Sequence, residues 1–435
     1  MSRTSSLTVG VFGALLALAG CSGPTDPSMD VGTVRVTTST VGLILDPDGY
    51  QVALAGSEPV AIGQAQTVSL TVPSGFFSLT LTGQAANCTP VGDPVAGGSV
   101  AAGATADVRF DLVCFRDPIA FDGPDGVTVI DAGGGPTVIL GTPGGRLPDA
   151  ASGTAWNPSR TRLAYIGPSV FGARDLNVVA LNKSERFLSQ QVMGEPALSW
   201  SPDGAKIAIA NGSSGGDTHD ARLLAVDADL SGTTQTLDAS WPGADRFSLS
   251  WSPDGSRIVY TAYSFEYGGA NDDELWVVEG LGQPTPLWGA HLRPIEFTDQ
   301  APNWSPDGTR IAFQRWDHGE RSELWVIDAD GSNPRLLTAA NDASLSAPLW
   351  APDGSVLVFF RDGQLWRMLP DGTSMAPVTD SYAVAASWSP SVTFGGPSSS
   401  PLRLAISEAS DRIVLVGLDG SGRTVLANGT NAHWR

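Results

Sequence analysis

Trp304-Ser305-Pro306-Asp307-Gly308 is one copy of a motif that recurs along the last two thirds of this 435-residue chain. Three near-identical copies begin at Trp200, Trp251 and Trp350, and two degenerate copies begin at Trp156 and Trp388. Consecutive copies lie roughly 40 to 50 residues apart, which is the length of one four-stranded β-propeller blade. Within the motif, Pro, Asp and Gly are the residues that favour a tight turn. The repeat therefore predicts an all-β propeller.

The same succession of short segments follows each motif. After Trp304 come Arg310–Phe313, Leu324–Ile327 and Arg335–Thr338, which are β-rich, separated by turns and without helical periodicity. The Trp-Ser-Pro-Asp-Gly turn with its following Ile-Ala-Phe and Ile-Asp-Ala-Asp-Gly-Ser resembles the TolB-type propeller repeat. The resemblance covers residues 117–435 and implies a propeller that binds proteins.

Two leftover segments favour a seventh blade over the six that the motifs mark. Ile119–Phe121, Val127–Asp131 and Thr137–Leu140 match the second, third and fourth strands of the repeat, but no motif precedes them. Asn431–Trp434, at the C-terminus, matches an inner strand that ends in its Trp. Pairing these segments would complete a seventh blade and remove the open sheet edges. The alternative is a six-bladed ring followed by a frayed tail.

The charge balance argues against two classes of partner. The chain has 25 Lys and Arg against 45 Asp and Glu, for a net charge of −20, and no basic cluster. Nucleic acids and anionic lipid surfaces both attract proteins through clustered basic residues. We therefore expect neither nucleic-acid binding nor electrostatic docking to a membrane.

Residues 1–21 have the features of an export signal. The apolar run Leu7–Ala19 is too short to span a membrane. It leads into Leu18–Cys21, which resembles the lipobox of bacterial lipoproteins. The resemblance implies cleavage before Cys21 and its lipidation; the alternative is an ordinary secretory signal with a chance cysteine. Residues 22–31 are expected to form a flexible tether.

Residues 32–115 are predicted to form a separate small β-sandwich. Its expected strands are Thr33–Thr37, Tyr50–Leu54, Thr67–Thr71, Phe77–Leu81 and Ala106–Cys114. The Asp46–Gly49 turn joins the first two, and the pattern resembles PEGA or carboxypeptidase-regulatory modules, which implies a stalk or spacer. Cys88 and Cys114 are expected to form a disulfide, because export brings them into an oxidising compartment.

Three patterns that could carry chemistry have simpler explanations. Asp227, Asp229 and Asp238 have the spacing of a calcium loop, but the repeat aligns them with a turn between the third and fourth strands. Ser214 matches the Gly-x-Ser-x-Gly pattern of hydrolases without the strand–turn–helix context that this nucleophile needs. None of the histidines has a partner at metal-ligand spacing; they are His219, His291, His318 and His433. We therefore predict no catalytic, cofactor-binding or metal-binding residue.

One face of the predicted disc is expected to carry the function. Tight first-to-second and third-to-fourth strand turns fall on one face, and longer, more varied connections fall on the other. The longer segments include Ala262–Asp273, Trp288–Gln300 and Arg315–Arg321. Aromatic residues are enriched at interfaces, and function commonly lies on loops over a rigid scaffold. The candidate partner-binding residues are Tyr263, Phe265, Tyr267, Asp272, Asp273, Trp316, Asp317, His318 and Glu320. The alternative is that these segments are merely solvated loops.

The sequence favours a monomeric bacterial envelope protein, lipid-anchored at the outer membrane and facing the periplasm or the cell surface. Its propeller would be a non-catalytic protein-interaction scaffold without a cofactor. The chain departs from TolB itself in its lipoprotein signal and in an N-terminal unit that is β rather than α/β. The alternative function is that of a propeller enzyme, or of a glycan- or calcium-binding protein, with its site at the central channel.

Overall fold

The computed structural model of the protein describes residues 30–42, 45–124, 126–140, 154–168, 174–182, 186–192, 197–211, 221–228, 235–241, 248–263, 273–280, 282–287, 297–317, 321–340, 343–389 and 402–434. All of the elements in these ranges are β-strands. Within them, no helix is long and apolar enough to cross a membrane.

The N-terminal strands form a β-sandwich. They are β1 (Val31–Gly42), β2 (Tyr50–Leu54), β3 (Val60–Ile62), β4 (Thr67–Pro73), β5 (Gly75–Thr82), β6 (Cys88–Pro90), β7 (Val95–Val100) and β8 (Thr105–Cys114). They make two four-stranded sheets, with orders β4-β1-β8-β6 and β3-β2-β5-β7. Val36 and Leu112 of the first sheet pack with Val52 and Leu79 of the second in one core. The prediction of a small β-sandwich before the propeller is confirmed.

Three short sandwich strands were missed by the sequence analysis. β3 and β6 have three residues each, too few to show alternation, and β7 contains the pair Gly97-Gly98, which is unfavourable in strands. The Asp46–Gly49 turn does lead from β1 towards β2, but the two strands belong to different sheets and do not pair as a hairpin. In its own sheet, β1 instead runs parallel to β8.

The predicted disulfide is present. Cys88 of β6 lies opposite Cys114 of β8 in the antiparallel pair, and their sulfur atoms are bonded. Both residues are buried. The bond therefore ties an edge strand to the strand that leads out of the sandwich.

The remaining strands form the propeller. They are β9 (Pro118–Gly123), β10 (Gly126–Asp131), β11 (Val138–Ile139), β12 (Thr154–Trp156), β13 (Arg162–Pro168), β14 (Arg174–Ala180), β15 (Arg186–Val192), β16 (Ala197–Trp200), β17 (Lys206–Asn211), β18 (Ala221–Asp227), β19 (Gln235–Trp241), β20 (Leu249–Trp251), β21 (Arg257–Tyr263), β22 (Asp273–Glu279), β23 (Thr285–Pro286), β24 (Phe297–Trp304), β25 (Arg310–Asp317), β26 (Ser322–Asp328), β27 (Arg335–Ala340), β28 (Leu345–Trp350), β29 (Leu357–Arg361), β30 (Gln364–Met368), β31 (Ala376–Trp388), β32 (Arg403–Glu408), β33 (Arg412–Gly417), β34 (Thr424–Asn428) and β35 (Thr430–His433).

These strands make seven blades. Blade 1 has the order β11-β10-β9-β35, and blades 2 to 5 are β12–β15, β16–β19, β20–β23 and β24–β27. The long strand β31 is shared, because Ala376–Tyr382 pairs with β30 in blade 6 and Ala383–Trp388 pairs with β32 in blade 7. The seven-bladed prediction is confirmed over the six-bladed alternative.

Blade 1 closes the ring with strands from both ends of the propeller. The C-terminal β35 pairs with β9, with Thr430 opposite Asp122 and His433 opposite Ala120. Trp434 is 3% exposed and packs in a core between blades 7 and 1. The C-terminal residues are therefore a structural strand and not a loose tail.

The motif tryptophans pack between neighbouring blades, and four of them are hydrogen-bonded to the preceding blade. In the described residues, four indole Nε1–H groups donate to the carbonyl of the residue that precedes the motif Trp of the previous blade. These bonds run from Trp156 to His433 (3.2 Å), Trp200 to Ala155 (2.9 Å), Trp251 to Ser199 (3.1 Å) and Trp304 to Ser250 (3.2 Å). A buried indole commonly satisfies its N–H in this way. Trp350, Trp388 and Trp434 are buried at the equivalent places, but within the part of the chain that the structure describes their Nε1 atoms have no hydrogen-bond partner. Each repeat is thus packed through its Trp against a neighbouring repeat, and four of the tryptophans add a hydrogen bond.

The Ser-Pro-Asp-Gly turns are locked by their own side chains. In blade 4, Ser252 Oγ and the Ser256 N–H both donate to Asp254 Oδ1, at 2.6 and 3.0 Å. Gly255 has a positive φ of 73°, and a Cβ there would lie 3.6 Å from Cδ of Pro202 in the preceding blade's turn. The turns therefore follow one another around one face of the disc, here named the turn face.

Hydrogen bonds from Ser252 and Ser256 lower the pKa of Asp254 from 3.8 to about 2. Since the folded-state pKa lies below the unfolded one, the stabilising contribution is fully present above about pH 4 and is lost as the pH falls towards 2. Equivalent hydrogen bonds lower the pKa of two other motif carboxylates. Ser201 and the Ala205 N–H donate to Asp203, and Ser305 and Thr309 donate to Asp307.

The sandwich joins the propeller on the turn face. Phe115, immediately after β8, is 1% exposed and packs in the core shared by blades 1 and 2. The backbone N–H groups of Arg116 and Asp117 donate to Asp131 Oδ2, at 2.5 and 3.1 Å. Asp131 ends β10, the third strand of its blade, next to a third-to-fourth strand turn. The junction is therefore a packed and hydrogen-bonded segment.

We predict that deleting residues 430–435 will strongly destabilise the propeller. The deletion removes β35, exposes the edge of β9 and takes away the buried Trp434, whose truncation alone costs about 3–5 kcal/mol. A thermal melt followed by tryptophan emission should show a drop of many degrees. The control is Val425→Ala, at a position of β34 that is 45% exposed, which should leave the melt unchanged. An unchanged melt of the deletion variant would contradict the closure.

Candidate functional site

The candidate site lies on the loop face, which carries the second-to-third strand loops and the connections between blades. Trp316, near the end of β25, is 41% exposed there. Thr298 of β24 and Ser322 of β26 lie opposite it on either side, and both are buried. An exposed indole is thus held on the middle strand of three hydrogen-bonded strands.

A buried ion pair lies directly beside this Trp. Arg315 donates from Nε to Asp299 Oδ1 and from Nη2 to Asp299 Oδ2, at 2.7 and 3.0 Å. The side chains are 7% and 0% exposed. Bidentate pairing of this kind fixes the geometry of both groups. Because side chains alternate along a strand, Arg315 points to the opposite sheet face from Trp316.

The ion pair continues into a third charged residue. Glu323 of β26 lies opposite Arg315 and is 5% exposed. It accepts a hydrogen bond from Trp325 Nε1 at 2.7 Å and forms an ion pair with Arg321 at 2.8 Å. The Arg315 guanidinium also lies 5.2 Å from the Trp325 ring, in cation–π range. A polar network therefore crosses blade 5 beneath the exposed indole.

A similar arrangement occurs at blade 7. Glu408, at the end of β32, is 1% exposed and accepts hydrogen bonds from Ser381, Arg412 and Arg423 at 2.7, 2.8 and 2.6 Å. Burial favours its neutral form, but the hydrogen bonds from Arg423 and Ser381 outweigh burial and hold the pKa of Glu408 below its ordinary value. Next to Ser381, Tyr382 is 58% exposed on the same face of the disc.

Tyr382 covers a tight turn. The turn Asp362-Gly363 joins β29 to β30 in blade 6, and a Cβ at Gly363 would overlap the Tyr382 ring. Gly363 also has a positive φ of 75°. The expectation that second-to-third strand loops are long is therefore wrong for blade 6. It is also wrong for blades 1 and 7, where Gly123 pairs with Gly126 and Glu408 pairs with Arg412 across short turns.

Arg315 and Glu408 hold the same position in the repeat, although the sequence analysis singled out neither. Each lies four residues after the residue that pairs with the motif Trp, Ile311 in blade 5 and Leu404 in blade 7. The sequence did contain a signal for both residues. Each is a charged residue at a position where the alternation of an apolar strand predicts an inward-facing side chain. Asp299 was missed because it was assigned to a loop.

The strands extend further into the predicted loops than expected. Phe297–Gln300 belongs to β24, and Arg315–Asp317 belongs to β25, because these segments pair with each other. At blade 4, Tyr263 ends β21 and lies opposite Asp273, which begins β22. Asp317 lies opposite Phe297 at the end of their pair. Phe265, Tyr267, Asp272, His318 and Glu320 lie outside the described residues.

The other sequence patterns are only partly covered. Asp227 ends β18, and the turn that follows it lies mostly outside the described residues, as do Asp229 and Ser214. In the part of the chain that the structure describes, no three His, Cys, Asp or Glu side chains are grouped as ligands for a metal ion. His433 uses its carbonyl to accept the Trp156 indole.

We predict that breaking the buried ion pair will destabilise the propeller more than removing both charges. Arg315→Met removes the bidentate cation from the buried Asp299 carboxylate, at a cost of about 3–5 kcal/mol, whereas the double variant with Asp299→Leu should regain most of it. Denaturant melts measure the free energy of unfolding of both variants. The control is Lys206→Met, which breaks a pair 36% and 41% exposed and should cost no more than about 1 kcal/mol. Equal losses for Arg315→Met and Lys206→Met would contradict the role of burial.

Comparison with known proteins identifies the repeat. No protein-family model matches the chain. A stretch of 103 residues is 33% identical to the Tol-Pal system protein TolB of Anaeromyxobacter dehalogenans, covering 24% of this chain and 21% of that protein. A stretch of 111 residues is 31% identical to the uncharacterized peptidase YuxL of Bacillus subtilis, covering 25% of this chain and 16% of that protein. The chain therefore spans about a fifth of the length of these relatives.

Solved structures are similar to the chain at low identity. TolB of Acinetobacter baumannii is 16% identical with a TM-score of 0.44, over 83% of this chain and 80% of that one. The periplasmic gluconolactonase of Pseudomonas aeruginosa is 15% identical with a TM-score of 0.49, over 73% and 98%. With the motif repeat and the sequence match to TolB, the chain carries a TolB-type β-propeller.

Proposed function

We propose that the protein is a monomeric, lipid-anchored protein of the bacterial envelope whose propeller binds another protein through the loop face. In this proposal residues 1–21 are the lipoprotein signal, 22–31 the tether, 32–115 the stalk and 117–435 the binding propeller. The sequence match to TolB, named as a Tol-Pal system protein, supports a protein partner in the envelope. The match covers 21% of TolB, so the partner is proposed below from the chemistry of this chain.

The observation that carries the proposal is the placement of Trp316. An indole that is 41% exposed gains free energy when a partner covers it, since Trp is among the residues enriched in interface hot spots. Arg315, on the same strand, is held by its buried ion pair with Asp299 of the neighbouring strand β24, so the backbone at Trp316 needs little further ordering when a partner binds. A rigid, exposed aromatic of this kind is suited to recognition.

The charge of the chain indicates the chemistry of the partner. The net charge is −20, and the candidate residues of the predicted loop segments include four acidic ones, Asp272, Asp273, Asp317 and Glu320. Opposite charges across an interface speed association and select the partner. We therefore propose a partner with a basic surface around an apolar pocket.

The test is site-specific cross-linking in intact cells. A photo-reactive amino acid at position 316 should give a discrete protein adduct, and the same group at Leu336 should not, since Leu336 has a matched exposure of 39% on the outer strand β27. Trp316→Ala should weaken binding of the identified partner by roughly 30-fold, equivalent to about 2 kcal/mol, with an unchanged melting temperature. Equal adducts at both positions, or none at either, would argue against binding through the loop face.

The lipid anchor has its own test. Because the anchor is proposed to be covalent lipid at Cys21, Cys21→Ser should move the protein from the membrane fraction to the soluble fraction. The measurement is fractionation after a high-salt wash, with mass analysis of the N-terminal peptide as the control for acylation. A Cys21→Ser protein that still sediments with membranes would show that lipid at Cys21 is not what holds it there.

A further inference from the structure

Phe76 is the most exposed large apolar side chain in the part of the chain that the structure describes. It is 96% exposed, and the next, Tyr382, is 58% exposed. Phe76 follows the connection between β4 and β5, where Pro73–Phe76 are four consecutive exposed residues. A fully exposed Phe gives up the free energy that burial of its ring would provide. Something beyond the sandwich core must therefore explain its position.

The Phe76 tip lies at the end of the sandwich that is remote from the propeller. β1 and β8 run parallel, with Thr33 opposite Thr105 and Gly42 opposite Cys114. Cys114 leads into the junction with the propeller, whereas Val31 lies opposite Pro73 beside the tip. Ten strand residues span about 30 Å. The chain therefore enters the sandwich next to Phe76 and leaves it about 30 Å away.

This distal end carries almost no charge. It consists of Val31, the tip Pro73–Phe76 and the turn Ala101–Ala104, which is tied to Val31 by a hydrogen bond from the Gly103 N–H to the Val31 carbonyl. Residues 67–83 and 94–106 contain no charged side chain, although the whole chain has a net charge of −20. Asp30 is the charged residue at this end, where its carbonyl accepts a hydrogen bond from the Ser74 N–H of the tip. An uncharged end is the part of an acidic protein that approaches a lipid surface at the least electrostatic cost.

We propose that the distal end of the sandwich rests on the lipid bilayer, with the Phe76 ring at the boundary between headgroups and acyl chains. The proposal rests on the lipid anchor at Cys21. Residues 22–30 can then span at most about 30 Å, which keeps the Phe76 tip within that distance of the membrane surface that holds the anchor. One Phe binds a bilayer weakly, but the anchor makes the contact intramolecular and raises its effective concentration.

The contact has a consequence for the propeller. The sandwich joins the turn face through the buried Phe115 and the hydrogen bonds to Asp131. With the distal end on the bilayer, the loop face with Trp316 is directed away from the membrane. The sandwich then acts as a stalk of defined orientation, and the binding face meets partners from the aqueous side.

The test places an environment-sensitive fluorophore on the full chain. Phe76→Cys provides one free thiol, because Cys88 and Cys114 are bonded to each other and Cys21 is acylated. In phosphatidylcholine vesicles with nitroxide-labelled acyl chains, the probe at 76 should show blue-shifted emission and at least threefold stronger quenching than a probe at Val95→Cys. Val95 is the control because it is 47% exposed at the propeller end of the same sheet, opposite Thr80.

The outcomes separate the two proposals. If the unmodified chain does not stay with the vesicles, or Cys21→Ser stays as well as the wild type, the anchor proposal fails. If the chain stays through its lipid but the probes at 76 and 95 are quenched equally, the membrane contact of Phe76 is wrong while the anchor stands. A blue-shifted but unquenched probe at 76 would also overturn the contact, since the tip would then be covered by protein. A Phe76→Ser chain should rotate more freely on the vesicle, with faster decay of fluorescence anisotropy from a label at 95.

Discussion

The burial of the motif Trp between two neighbouring blades is the contact on which the rest of the propeller depends. Trp200, for example, packs against residues of blade 2 and donates its indole N–H to the Ala155 carbonyl of the previous inner strand. A single repeat cannot satisfy this Trp or cover its own apolar face, so the blades are stable only as a ring. Closure by β35 follows from the same need, because Trp156 finds its acceptor at His433.

Ring closure produces a disc with two unlike faces. On the turn face, each Ser-Pro-Asp-Gly turn is held by its own hydrogen bonds and lies against the turn of the preceding blade, and the sandwich joins the disc there through Phe115. These contacts stabilise the propeller at its turn face. On the loop face, the described residues include the exposed aromatics Trp316 and Tyr382. Loops carried by a rigid scaffold are a common place for function.

Buried charges mark the loop side of two blades. Asp299 with Arg315, and Glu408 with its arginines, are removed from water at a free-energy cost that their hydrogen bonds only balance. Apolar residues at these places would pack the blades as well or better. The charges lie beside Trp316 and Tyr382, the exposed aromatics of the described loop face. Local departures from the apolar pattern next to exposed aromatics are expected at functional sites.

The sequence by itself determined the fold class, the number of blades and the disulfide pair. These features depend on local turn chemistry and on a repeat period, both of which are written along the chain, and the match of Asn431–Trp434 to an inner strand was enough to predict closure. Only the tertiary structure decided that Asp299 meets Arg315 and that Phe76 stands exposed beside the chain entry. Such features depend on which strand ends meet in space, and side chains sixteen or more residues apart carry no local signal of their contact. The loop face was predicted, but its supporting charges required the packed sheets.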